Sequence, residues 1–272
     1  MEKKTLNILS IDIDYILEPC IALYEGHMSK NAPFFVSFKD QLDHGINLME
    51  RWRDLEPLID KAAEVSQENY AEVVKIFTKS LFQLKKSDKD KIYFADHHDT
   101  ICTALKNLHE EGTRFNIVNL DHHHDIYYSE DQLRSVDLYN LVSPGDWIWY
   151  LDKAGVLEQY HWISNGNSTE FVPLKGNQLN SEMITGRYES LAEYQESEHA
   201  VEKFDFIYVC RSPQWTPNKF HDYFHNLKEI ADNYFKTSLE HDTEFFCGNR
   251  RSRPFRGESK GSVELDKPFG RD

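Results

Sequence analysis

The sequence predicts an α/β protein of three layers, with helices on both faces of a mainly parallel central sheet. Three observations lead there. Short runs rich in β-branched residues, at 5–13, 91–95, 115–118, 160–164 and 204–210, alternate with helical stripes along the chain. Two of these runs are joined by a helix-length segment, a β-α-β crossover that makes its strands parallel. Clusters of Asp and His fall where strands end, which is where α/β proteins carry their chemistry.

Taken in order, residues 5–13 (T-L-N-I-L-S-I-D-I) form the first strand, which runs into Ser10-Ile11-Asp12-Ile13-Asp14. Residues 24–37, with Gly26 and Asn31-Ala32-Pro33, read as an irregular loop able to cover a site at that strand end. Leu42, Ile46, Met49 and Trp52, then Val73, Ile76, Phe77, Leu81 and Leu84, predict a helical insertion over 38–86, broken at Pro57. The strand at 91–95 ends in Asp96-His97-His98-Asp99, and a helix over 100–111 follows with Ile101, Leu105 and Leu108 on one face. The strand at 115–118, entered from Gly112-Thr113, ends in Asn119-Leu120-Asp121-His122-His123-His124-Asp125. The crossover predicts that these two strands are near neighbours, with both clusters at one sheet edge.

Pro144 and Asp146 start a helix that reaches Gly155, and 160–164 is a strand. Residues 165–187 are loop-rich, before a modest helix near 188–200. A buried strand at 204–210 leads into Arg211-Ser212-Pro213-Gln214-Trp215-Thr216-Pro217 and an amphipathic helix over 217–239. From residue 248 onward Arg, Gly, Ser and Pro dominate. The expected organisation is one domain over 1–247 and a disordered basic tail over 248–272.

At 272 residues the chain can bury a substantial core, and its 28% charged and 40% apolar content is that of a globular protein. The formal charge of −15 argues against nucleic acid as a partner and is compatible with a cationic ligand. No run approaches about 18 apolar residues, and Met1-Glu2-Lys3-Lys4 leads directly into a strand. We therefore expect no membrane span, no signal peptide and a cytoplasmic location. Cys20, Cys102, Cys210 and Cys247 are far apart and form no C-x-x-C pair, so they read as reduced thiols.

Five ionisable residues in a row at the end of a core strand are costly to desolvate, and a divalent cation is the usual compensation. Alternation would point Asp121, His123 and Asp125 one way and His122 and His124 the other. The first face carries two carboxylates and an imidazole, a set suited to Mn, Zn or Fe. Adding the other strand ends gives Asp12, Asp14, His97 or His98, Asp121, His123 and Asp125 as candidate metal ligands. That set exceeds the needs of one tetrahedral zinc and suits two ions sharing carboxylates, with Mn preferred. Two such ions lower the pKa of a bridging water toward neutrality, so the expected protein is a binuclear Mn hydrolase.

Asp96-His97 followed by a strand ending in Asp121-His122-His123-His124-Asp125 resembles the G-G-D-H and D-A-H-x-D pair of arginases and agmatinases. Ser10-Ile11-Asp12-Ile13-Asp14, followed by Glu18-Pro19, is similar to their S-x-D-x-D-x-x-D-P element. The closer resemblance is to an arginase-like family that includes the peptide arginases of bacterial ribosomal-peptide pathways. Its D-H, D-x-H-x-D, D-W-I and R-S-P-x-x-T-P segments are matched at Asp96-His97, Asp121 to Asp125, Asp146-Trp147-Ile148 and Arg211 to Pro217. The likeness covers most of residues 5–220 in scattered motifs. It implies an arginase-like fold in permuted chain order, because the Asp-x-Asp element here comes first rather than last.

The resemblance also implies roles. His97, Asp121, Asp125 and Asp12 would bind one manganese, and His123, Asp14, Asp121 and Asp12 the other, giving two Mn per chain. Asp121 and His123 would stand at the centre of the chemistry, with His98, His122 and His124 as candidate proton carriers or as supports behind the ligands. Glu18, Asp99, Asp146 and Arg211 are candidates for substrate contact. The implied reaction converts arginine side chains of a precursor peptide to ornithine with release of urea. A homo-oligomer is left open.

Three other readings compete. A phosphoesterase of the DHH type would use Asp121-His122-His123, Asp12-x-Asp14 and Asp96, but no glycine-rich, histidine-containing phosphate element follows. A deacetylase-like mononuclear zinc hydrolase would leave several acidic ligands unused. A metal- or peptide-binding scaffold would share the fold without turnover.

Overall fold

The structure, a computed structural model, describes residues 4–17, 64–127, 134, 136–138, 141–165, 184–213, 216, 218–236 and 263–264. At its centre is β1 (Lys4–Asp12), whose last five residues are all buried. Such a strand needs partners on both edges and cover on both faces, which is the environment of a parallel sheet. It pairs with β3 (Thr113–Leu120) on one side and β7 (Phe206–Cys210) on the other. β2 (Ile92–Ala95) closes the sheet beyond β7, while β5 (Leu157–Ile163) and β6 (Gly186–Tyr188) extend it beyond β3. The six strands run β2-β7-β1-β3-β5-β6, all parallel, as the sequence predicts.

The predicted neighbourhood of the 91–95 and 115–118 strands needs correction, because β7 and β1 stand between β2 and β3. Burial explains the order. All five residues of β7 are buried and require an interior place, whereas β2 exposes Tyr93 and suits an edge. Both strands still deliver their ends to the same sheet edge.

Alternation along the strands divides the core in two. Leu9, Ile11, Val118, Leu120, Ile207 and Val209 face one layer, built from α1 (Gln67–Gln83), α4 (Leu191–Glu196) and α5 (His221–Lys236). α1 begins at Ser66, whose hydroxyl accepts from Asn69 N–H, and buries Val73, Ile76, Phe77, Ser80 and Leu81, a stripe at helical spacing. Ile8, Ile117, Phe206 and Tyr208 face the other layer, where α2 (Thr100–Leu108) and α3 (Trp147–Lys153) pack. Residues Trp147 to Leu151 are all buried, so α3 is a core helix. It stops at Gly155, whose φ of 70° is the left-handed value that glycine takes without strain.

Of the 38–86 stretch, α1 lies within the described residues and packs as core; 38–63 lies outside them, as do the 24–37 loop, 166–183 and Glu18. The chain returns beside its point of departure, since Leu17 and Val65 form an antiparallel bridge. From the tail, Val263–Glu264 form β8, paired with β4 (Leu141–Val142).

Candidate metal centre

One register row crosses the whole sheet: Tyr93, Tyr208, Ser10, Asn119, Trp162 and Arg187 are successive Cα partners. This row is the floor of the site. Ser10 and Asn119 are fully buried polar residues in the two central strands, where an apolar side chain would ordinarily stand. Their polar atoms hold what lies above them. Ser10 Oγ is 2.7 Å from His98 Nε2, and Asn119 Nδ2–H donates to Asp121 Oδ2 at 3.1 Å. The Trp162 indole donates to the Asp121 carbonyl at 3.0 Å, and the Tyr160 hydroxyl to the His124 carbonyl at 2.8 Å. Strand β5 thus fixes the backbone of residues 121–124 after the β3 ladder has ended.

Above the floor, four carboxylates and two imidazoles converge. His98 Nδ1 lies 2.9 Å from Asp125 Oδ2, 3.1 Å from Asp121 Oδ2 and 3.3 Å from Asp12 Oδ2. His123 Nδ1 lies 2.9 Å from Asp14 Oδ2 and 3.8 Å from Asp121 Oδ1. Two groups have ligand atoms close enough to hold an ion, Asp12–His98–Asp121 and Asp14–Asp121–His123, and Asp121 is common to both.

Local structure explains how neighbours in sequence enter different groups. Asp12 caps a 3-10 turn (Ile13–Ile16), accepting from Asp14 N–H, and that turn separates the two carboxylates. Asp121 Oδ1 accepts from His123 N–H at 2.8 Å, a tight turn rather than an extended strand. His123 thereby meets Asp14, while His122 Nδ1 lies 3.3 Å from Asn165 Oδ1 and His124 turns its ring toward Trp162. Asp125 completes the reversal at a φ of 50°.

Of the two adjacent histidines, His98 is the one in the cluster. The His97 carbonyl accepts from the Tyr208 hydroxyl and from Thr100 Oγ1, which fixes the 96–99 turn with the next side chain inward. The His98 ring then packs between Tyr208 and Trp147. Asp96 is exposed and pairs with Arg211 at 2.9 Å. Both Asp146 oxygens accept from Ser143, through its N–H and its hydroxyl, each at 2.7 Å. Asp99 is buried at the start of α2 without a side-chain capping bond. The sequence did not reveal the roles of Ser10, Asn119 or Ser212, whose hydroxyl donates to Asp12 Oδ2. A polar residue inside an otherwise apolar strand was the available signal at Ser10 and Asn119.

Electrostatics follow from burial. Desolvation and the Asp14 charge raise the Asp12 carboxyl, and desolvation and the Asp121 charge raise Asp14. Burial, with the charges of Asp125 and Asp12, pushes Asp121 up to about 7. Burial works against a charged His98 ring, yet the Asp125 charge and the close Asp12, Asp121 and Asp125 carboxylates hold it well above the usual imidazole range. His124 behaves oppositely. Burial, then the His123 and Arg187 charges, lowers it to about 3, and its Nδ1 accepts from Ile126 N–H, which leaves the ring proton on Nε2.

This donor set fits two divalent cations. Among the described residues, the ion-pair partners of Asp12, Asp14 and Asp121 are histidines. Two protonated imidazoles cannot neutralise four buried carboxylates, whereas two divalent ions beside neutral imidazoles can. Each imidazole also presents the nitrogen that a metal would take, with Ser10 on the far nitrogen of His98.

Fold and site together define an α/β protein whose parallel sheet carries, at one edge, a buried His/Asp centre able to hold two metal ions. No family model, curated protein or solved structure matches the chain. No helix among the described residues is long and apolar enough to cross a membrane.

Proposed function

We propose that this protein is a binuclear, manganese-dependent hydrolase of the arginase-like type, which converts arginine side chains of a ribosomally made precursor peptide to ornithine and urea. The observation that carries the reading is the pair of buried triads sharing Asp121, assembled from the S-x-D-x-D, D-H-H and D-x-H-x-D segments. Asp12, His98, Asp121 and Asp125 would hold one ion, and Asp14, Asp121 and His123 the other. Oxygen-rich sets with one imidazole per ion suit Mn better than a thiolate-preferring metal. Such a pair of ions supplies a nucleophile at neutral pH by acidifying water and stabilises the charge of the group under attack.

The protein's own residues do the remainder. Trp147, Trp162 and Tyr208 wall the centre against bulk water, while Ser10, Asn119 and Ser212 fix the ligands. In the overall reaction water adds at the guanidinium carbon, the bond to the side-chain nitrogen breaks, that nitrogen takes a proton, and urea leaves. The formal charge of −15 favours approach of a cationic peptide. The exposed position of Asp96, paired with Arg211, weighs against the phosphoesterase alternative, which needs that carboxylate in the cluster.

The test is urea release by Mn-loaded protein from free arginine and from an arginine-containing peptide, with peptide mass followed in parallel. Urea, with a mass loss per converted residue equal to urea minus water, is the expected result. Loss of turnover in Asp121→Asn would separate an enzyme from a scaffold. No urea from either substrate would sink the guanidinium reading.

A further inference from the structure

Asp125 lies outside the tight Asp12–His98–Asp121 group, and its orientation decides whether that group gains a fourth donor. The residue lies past the end of β3, at a left-handed φ of 50° that aspartate enters more readily than most residues with a side chain. The start of α3 grips it. The Trp147 Nε1–H donates to Asp125 Oδ2 at 2.7 Å, and this same oxygen stands 2.9 Å from His98 Nδ1. One residue on, Ile148 N–H donates to the Asp125 carbonyl at 3.2 Å. The helix start is itself locked by the Ser143–Asp146 turn, and the fully buried Trp147 ring packs 4.9 Å from the His98 ring.

We infer that Trp147 is a positioning residue whose indole N–H fixes the Asp125 carboxylate as the fourth ligand of the ion held by Asp12, His98 and Asp121. The inference rests on the metallohydrolase reading above. The chemistry of the donor suits this role. A carboxylate oxygen has two lone pairs, so Oδ2 can accept the indole N–H with one and face the centre with the other. An indole carries no charge at any working pH, so it orients the carboxylate without competing with a cation for it. A Lys or Arg at this place would do the opposite.

The experiment is a titration of metal-free, full-length protein with Mn²⁺, reading stoichiometry and affinity by calorimetry, on the unmodified protein, Trp147→Phe, Asp125→Ala and the double variant. The unmodified protein should take two equivalents. Trp147→Phe should weaken one of them about tenfold or more and spare the other, the size expected when a ligand's supporting bond is lost. In the Asp125→Ala background, Trp147→Phe should change nothing further. An equal loss in both backgrounds, or on both equivalents, would mean that the ring merely packs, and would overturn the inference. Because phenylalanine leaves a gap, replacement of Trp147 by benzothienylalanine, which keeps the shape and lacks the N–H, must reproduce the same loss. If the unmodified protein bound no Mn²⁺, the metallohydrolase reading would fall, an outcome distinct from two equivalents indifferent to Trp147.

Discussion

Asp121 is the residue on which both halves of the centre depend, since each triad takes one of its oxygens. Asp121→Asn is therefore expected to lose both equivalents of metal, whereas Asp14→Asn should lose one, as elemental analysis of the purified variants would read. The same residue sets the pH response. In the metal-free fold the Asp121 carboxyl keeps its proton up to about 7, and His98 keeps one well above the usual imidazole range. Loading a cation must expel those protons, so apparent affinity falls as pH drops through the raised His98 range and more steeply below about 7. Calorimetry in buffers of different ionisation enthalpy counts the protons released, and a pH-independent affinity would contradict the assignment. Backbone strain collects here too. Among the described residues, the two non-glycine positions with positive φ are Asp125 and Ser212, one in the cluster and one bonded to it.

Strand β5 shows how one element serves the core and the site from opposite faces. Tyr160 and Trp162 point toward α3 and clamp the carbonyls of residues 121 and 124. His161, between them, points the other way and is buried against Tyr188, Tyr194 and His199. Burial, then the His199 charge, lowers the His161 ring to about 4. Its folded value lies below its unfolded one, so the unfolded chain binds the extra proton. The stability this neutral ring contributes is present above about pH 6.5 and is lost as pH falls toward about 4. Urea unfolding of metal-free protein at pH 7 and pH 4.5 should show a smaller acid loss in His161→Phe, by about 2–3 kcal/mol. An unchanged difference would show that His161 is already solvated.

For the whole molecule, the sheet edge concentrates like charges that the apolar core cannot solvate, so the native state should be stabilised by whatever neutralises them. Mn²⁺ at a hundredfold excess over its Kd is expected to raise unfolding free energy by about 2.7 kcal/mol, and a chelator should reverse the gain. Thermal unfolding with and without Mn²⁺ reads this directly. A melting temperature unaffected by Mn²⁺ would mean that the folded state does not bind it.

Much of this was legible in the sequence. The strands at 5–13, 115–118 and 204–210, the α1 and α5 stripes and the Asp/His clusters at strand ends declare themselves through local period and residue type, which depend only on near neighbours along the chain. Strand order, the choice of His98 over His97, and the capture of Asp146 by Ser143 are not local properties. They depend on which strand is buried enough to stand inside the sheet, on a Tyr208 hydroxyl reaching the His97 carbonyl across 111 residues of chain, and on a turn satisfying its own carboxylate. The sequence by itself determined that a parallel α/β sheet would present carboxylates and imidazoles at one edge. Only the tertiary structure decided which of them share a centre, because convergence within a few ångströms is set by packing between strands distant in sequence.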